Sequence, residues 1–264
     1  THYKVGDRVL VQADWKHLRT PKSNGAFGYN FEGALQEYVV IDERCVVSPD
    51  GEKFLLPVAE GPSAAAVGLI EPWATVEAAY AFPERRGPKA GGTFLVVADA
   101  GTDIAGAQSL ATQAGSQVTV VAPDALDTLG EGRYDDIVYF GADADVLDAL
   151  GDRLGLHSLL NIVLGGRTIA RPVRVDVGRV HYDYIRYCGT AGDDPAEGYA
   201  WIPATGNQRV GDKVAIVGAA GPMGLMHTMR AVTLGTEGVR VASVDATDLN
   251  DDRLAHLAAE IDPL

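Results

Sequence analysis

The chain predicts an α/β fold built on a doubly wound parallel sheet, with a smaller β-rich portion ahead of it. Three observations carry that expectation. Apolar runs of β type at Thr93–Ala98, Gln117–Val121, 136–140 and 157–164 alternate with stretches of helical spacing. Strands that are apolar throughout are those buried on both faces of a parallel sheet. A later run, Lys213–Val217, breaks into glycines at 218, 221 and 224 and then resumes at helical spacing through Leu234. Residues 1–50, by contrast, mix short strands with polar turns.

Composition narrows the function. Of 264 residues, 47% are hydrophobic and 22% charged, the balance of an ordinary globular protein. Apolar runs are broken well before the ~18 residues that a membrane span needs. A formal net charge of −14 opposes a nucleic-acid partner, since a phosphate backbone rewards Lys and Arg, and suits a protein handling small molecules. Thr1-His2-Tyr3-Lys4 opens without a secretory pattern, and Cys45 and Cys188 make neither a disulfide framework nor a metal cluster. A cytoplasmic setting is expected.

Taken in order, Val9–Val11 reads as a strand after a polar turn. Residues 14–31, with Pro21, Gly25, Gly28 and Asn30, read as irregular, 33–41 as a second strand and 45–47 as a third. Residues 64–80 are helical, interrupted near Pro72. Pro83, Gly87, Pro88, Gly91 and Gly92 mark 82–92 as a linker. A helix is expected over 103–114, another over 146–154, and an alternating edge strand over 180–188. Residues 189–212 are loop-rich, and 239–244 is a strand following the glycine turn. The segments are therefore 1–82, 92–190 and 211–264.

The glycine turn carries chemistry. A strand, a tight glycine turn and a helix entry together bind a dinucleotide pyrophosphate. Gly218, Gly221 and Gly224 let the backbone approach the phosphates, and the amides around Pro222 and Met223 face them. The spacing is one residue looser than G-x-G-x-x-G. An acidic residue about 20 positions on reads the ribose hydroxyls. Asp245 and Asp248 are the two candidates, and either favours NAD over NADP because a carboxylate repels a 2′-phosphate. The earlier turn at 98–105 keeps Gly101 but has Ala98 and Ala105 at the outer glycine positions, with Asp99 and Asp103 beside them. Those carboxylates oppose a phosphate, so this turn is expected not to bind a dinucleotide.

"KVGDRVLV", "GALQEYVVID" and "SAAAVGLIEPWATVEAAY" together resemble successive landmarks of the medium-chain dehydrogenase/reductase superfamily. The resemblance implies a partial GroES-like β domain at 1–82, a degenerate Rossmann unit at 92–190 and a partial NAD-binding Rossmann unit at 211–264. It implies an oxidoreductase that interconverts a secondary alcohol (polyol, sugar or sugar phosphate) and its ketone with NAD(H), assisted by zinc. Glu71-Pro72 is similar to an Ile-Glu-Pro motif of the polyol-dehydrogenase branch, which implies that Glu71 lies at the floor of the catalytic cleft and ligates zinc directly or trades places with water; the alternative reading is that Glu71 caps or charges a helix turn before a proline. The family's other zinc ligands precede the "KVGDRV" landmark and are not in this chain. Its strand-end Asp is followed five residues on by Arg, as Asp248 is by Arg253, which favours Asp248; Asp245 lies nearer the general spacing. Residues 211–264 suffice for only about half of a dinucleotide fold. The simplest expectation is an internal part of a longer enzyme of the sorbose-phosphate reductase or polyol dehydrogenase kind, and the family implies a homodimer. Two alternatives stay open: a zinc-free NADPH-linked quinone or enoyl reductase, and a non-catalytic nucleotide-binding or subunit-interaction module.

Overall fold

A computed structural model describes residues 2–21 and 23–262. The chain divides into two compact units, Thr1–Phe82 with Gly206–Leu264, and Pro83–Thr205. The outer segments of the sequence thus belong to one unit, and the middle segment is inserted between them.

In the N-terminal part of the first unit, β1 (Val9–Val11) pairs antiparallel with β4 (Leu55–Pro57), and β2 (Asp14–Arg19) with β3 (Asn24–Ala26). The β2–β3 hairpin occupies the stretch read as irregular. Its organiser is Trp15, fully buried, with Phe27 and Phe31 edge-on to its ring. The strand expected over 33–41 does not form; Leu35, Tyr38 and Val40 stand exposed there. An alternating pattern stabilises a strand only when one face is covered and the edge is paired. Neither condition is met among the described residues. The strand expected over 45–47 is replaced by a turn of 3₁₀ helix at Glu43–Cys45, which Asp42 starts by accepting the Arg44 N–H at 2.9 Å.

Helix α1 (Ala64–Gly68) is capped by Ser63, whose hydroxyl accepts the Ala66 N–H at 3.1 Å. Helix α2 (Ile70–Ala81) follows at once. The break falls at Leu69, and Pro72 lies within the first turn of α2. A first-turn proline has no intrahelical hydrogen bond to lose, so the helix runs through it.

The second unit contains β5 (Thr93–Ala98), α3 (Ala105–Ala114), β6 (Gln117–Val121), β7 (Tyr134–Phe140), α4 (Ala144–Asp152), β8 (Leu154–Val163), α5 (Val177–Tyr182), β9 (Arg186–Thr190) and α6 (Pro195–Ala200). The sheet is wholly parallel in the order β6-β5-β7-β8-β9. The doubly wound reading holds. Leu95, Val97, Ile137 and Tyr139 pack with Leu147 and Leu150 of α4 on one face. Phe94, Val96, Val138 and Phe140 pack with Ala107 and Ala111 of α3 on the other. The edge strand expected over 180–188 is part helix. Asp176 caps α5 by accepting the Arg179 N–H at 3.1 Å, which delays β9 to Arg186. Asp194 and Pro195 start α6 inside the predicted loop.

The expected linker is a built structure. Pro83 bridges antiparallel to Thr205, and the Glu84 N–H donates to the Ala204 carbonyl at 2.9 Å, so the unit's two ends are joined. The Arg85 Nη1 donates to both carboxylate oxygens of Asp136 at 2.7 and 2.9 Å. Buried Asp136 also accepts the Lys89 N–H at 2.8 Å.

The first unit then resumes with β10 (Lys213–Val217), α7 (Pro222–Thr233), β11 (Ser243–Thr247) and α8 (Asp251–Ile261). Strands β10 and β11 pair in parallel from Lys213↔Ser243 to Val217↔Thr247. Strand β11 begins four residues later than the expected 239–244 and overlaps it at Ser243 and Val244, so Asp245 falls inside it and Asp248 just beyond it. No helix among the described residues is long and apolar enough to cross a membrane.

Candidate dinucleotide site

After Val217 the backbone turns at Gly218, whose φ of +76° lies in the left-handed region that favours glycine. The N–H groups of Gly218 and Ala219 donate to the Thr247 carbonyl at 2.8 and 2.9 Å, which ties the turn to the end of β11. Gly224 is required by packing. A Cβ there would collide with the Gly218 carbonyl oxygen and lie 2.6 Å from the Ala219 Cα. Gly221 caps α7 with no side chain, and a Cβ on it would stand 3.4 Å from the same carbonyl oxygen. Pro222 opens the helix without an N–H, so the first amides are those of Met223 and Gly224, and no side chain caps them.

The helices of the second unit begin differently. The Asp103 carboxylate accepts the first N–H of α3, from Ala105, at 3.0 Å. Asp143 accepts those of Asp145 and Val146 in α4 at 2.8 and 3.3 Å, and Asp194 that of Ala196 in α6 at 2.9 Å. An anion at those helix starts would have to displace a carboxylate of the chain itself. At α7 no side chain of the described residues takes that position.

Asp248 lies beside the glycine turn. Its Oδ2 accepts the Ala220 N–H at 3.1 Å, and its Oδ1 the Asn250 N–H at 3.1 Å. Asp245 pairs across the sheet with Ala215, is exposed, and accepts from the Ser243 hydroxyl at 3.4 Å. Glu71 sits in the first turn of α2, where the Thr75 hydroxyl donates to its backbone oxygen at 3.2 Å and to its Oε1 at 3.3 Å. Among the described residues no three His, Cys, Asp or Glu side chains gather to hold a metal ion, so Glu71 has no companion ligands there.

One cluster went unread in the sequence. The Tyr80 hydroxyl lies 2.9 Å from the His227 Nδ1, and the Arg230 guanidinium lies over the Tyr80 ring at 3.9 Å. The Arg230 Nε donates to Glu77 at 2.9 Å and its Nη2 to the Asn207 Oδ1 at 3.1 Å. Burial, with Arg230 nearby, holds the His227 imidazole below its ordinary value. The cluster fastens α7, the helix that opens at the glycine turn, to α2. The clue was the shared three-residue spacing of Glu77 with Tyr80 and of His227 with Arg230, which puts each pair on one helix face.

No protein-family model matches the chain, and no curated protein matches it. Among solved structures it is similar to 2R,3R-butanediol dehydrogenase from Bacillus subtilis, at 16% identity and TM-score 0.26, covering 81% of this chain and 68% of that one. It is similar to the D-arabinose dehydrogenase from Sulfolobus solfataricus at 14% identity and TM-score 0.27, covering 84% and 76%. It is also similar to an alcohol dehydrogenase zinc-binding domain protein from Burkholderia ambifaria at 16% identity and TM-score 0.28, covering 55% of this chain and 46% of that one.

Proposed function

We propose that this chain contributes the NAD-binding turn of an oxidoreductase that interconverts a small secondary alcohol and its ketone. The observation that carries the reading is the contrast between helix starts: the first amides of α7, behind Gly221, meet no capping side chain, whereas at α3 the Asp103 carboxylate stands on the first N–H, that of Ala105. The Met223 and Gly224 amides would hold the pyrophosphate, with Gly218 turning the backbone at positive φ and Gly224 letting the helix pack against the turn. Asp248, already at the turn, would accept the ribose hydroxyls and repel a 2′-phosphate. NAD, when bound, supplies the hydride acceptor.

Zinc is a different case. A catalytic zinc needs about three protein ligands. Among the described residues Glu71 has no such companions, so the residues present do not fit a zinc centre. A polyol, sugar or sugar phosphate as the substrate class, a zinc-assisted parent enzyme, a homodimer and a cytoplasmic location rest on the sequence resemblance and composition alone.

Fluorescence titration with NADH and NADPH tests the reading. Preference for NADH supports it. Preference for NADPH would favour the zinc-free reductase, against which Asp248 stands, and a folded chain that binds neither would leave a non-catalytic module.

A further inference from the structure

In the middle unit the chain passes from β5 to β6 on one side and then to β7 on the other, so the winding reverses at β5. An open parallel sheet holds its ligands in the crevice beyond the carboxyl ends of its strands at such a reversal. Here that place is an open crevice of about 720 Å³, whose lining includes Asp99, Tyr139, Gly141, Asp143 and Arg167.

Two opposite charges face this crevice without an ion pair among the described residues, although the Asp193 carboxylate stands near Arg167 beside Gly165. Asp99, just past β5, has no side-chain hydrogen bond or ion pair among the described residues, and it is exposed. Arg167, beyond β8, uses only its Nε, which donates to the Leu164 carbonyl at 2.7 Å; its two outer nitrogens are free and it has no ion pair among the described residues. The neighbouring Arg171 differs, being paired with both Asp145 and Asp148. Strand β7 lies between β5 and β8 in the sheet, which sets the two strand ends about 10 Å apart.

A donor stands between them. Tyr139 is 2% exposed, and its hydroxyl accepts the Asp143 N–H at 3.2 Å while keeping its own proton to give. Burial, with the charges of Asp143 and Asp99 acting the same way and Arg167 against them, raises the phenol above its ordinary value, so it stays a donor. Gly141 makes the room: a Cβ at that position would collide with the tyrosine ring and hydroxyl.

These charges select a ligand class. A phosphate would meet Asp99 and Asp143 and find the N–H groups of Ala105, Asp145 and Val146 already given to carboxylates of the chain. A simple cation would leave Arg167 unanswered. A molecule with both charges answers both rims. We propose that this crevice binds a small zwitterion of the amino-acid class, its ammonium at Asp99 and its carboxylate at Arg167, with the Tyr139 hydroxyl donating to the carboxylate.

The test is calorimetric titration of the full chain with the standard amino acids one at a time, then with the methyl ester and the N-acetyl derivative of any that binds. The expected result is binding of at least one amino acid, weakened about tenfold or more in each derivative, in Arg167→Ala and in Asp99→Asn. Both side chains are exposed, so both variants should keep the parent's circular dichroism and melting temperature. NADH titration of the same variants keeps this site separate from the glycine turn and should be unchanged. The proposal is overturned if no amino acid binds, if the derivatives bind as well as the parent molecule, or if binding persists in both variants.

Discussion

The backbone N–H of Ala220 donates to the Asp248 carboxylate at 3.1 Å, joining the residue after β11 to the glycine turn after β10. Two parallel strands thereby bring an uncapped helix start and a carboxylate to one end of their sheet. If that carboxylate reads the ribose, Asp248→Asn should weaken NADH binding about tenfold, or roughly 1.4 kcal/mol, and narrow the preference over NADPH. Asp245→Asn, within the strand, should change neither. Paired fluorescence titrations check this, and equal effects of the two substitutions would refute the assignment.

Gly224→Ala should do more damage than its size suggests. The added methyl would meet the Gly218 carbonyl oxygen, so α7 must move away from its turn. Overpacking of this kind costs about 1–3 kcal/mol, and NADH binding should fall with it. Gly218→Ala should cost about 1–2 kcal/mol through its positive φ. Gly235→Ala, with nothing near its would-be Cβ, is the control expected to leave the melting temperature nearly unchanged.

Arg85→Ala should destabilise the middle unit strongly. Asp136 is 1% exposed, and the guanidinium is its only ionic partner among the described residues. Removing one member of a buried pair costs about 3–5 kcal/mol because the other charge is left uncompensated. Replacing the pair by Met and Leu together should cost less. Urea unfolding of the two variants would distinguish them.

Stability of the first unit should fall in mild acid through His227. Its imidazole is held below the ordinary value by burial and then by Arg230, and it faces Tyr80, with Glu77 bonded to that arginine. The folded state therefore binds fewer protons than the unfolded state. The contribution is full above the unfolded value of about 6.5 and is lost as pH falls through it toward the depressed folded value. Melting temperatures measured over roughly pH 5–8 should slope upward with pH, and His227→Gln should flatten that slope.

Legibility in the sequence followed the range of the interactions. Strands β5, β6 and β10 and the turn at Gly218 were readable because apolar runs and glycine stereochemistry act within a few residues. The stretch 33–41 was misread because its alternating pattern needs a covering layer and a partner strand, neither of which a pattern can supply. Helix α5 was missed because the Asp176 cap outweighed an equally plausible alternation.

The sequence by itself determined the parallel sheet, the open glycine turn and the closed one, since each depends on backbone freedom and local charge. Only the tertiary structure decided that the outer segments share a unit and that Asp248 and not Asp245 lies at the turn. The reason is physical: these depend on the register of β11 against β10 and on which helices pack together. Such contacts join residues far apart in the chain and leave little trace in the spacing between neighbours.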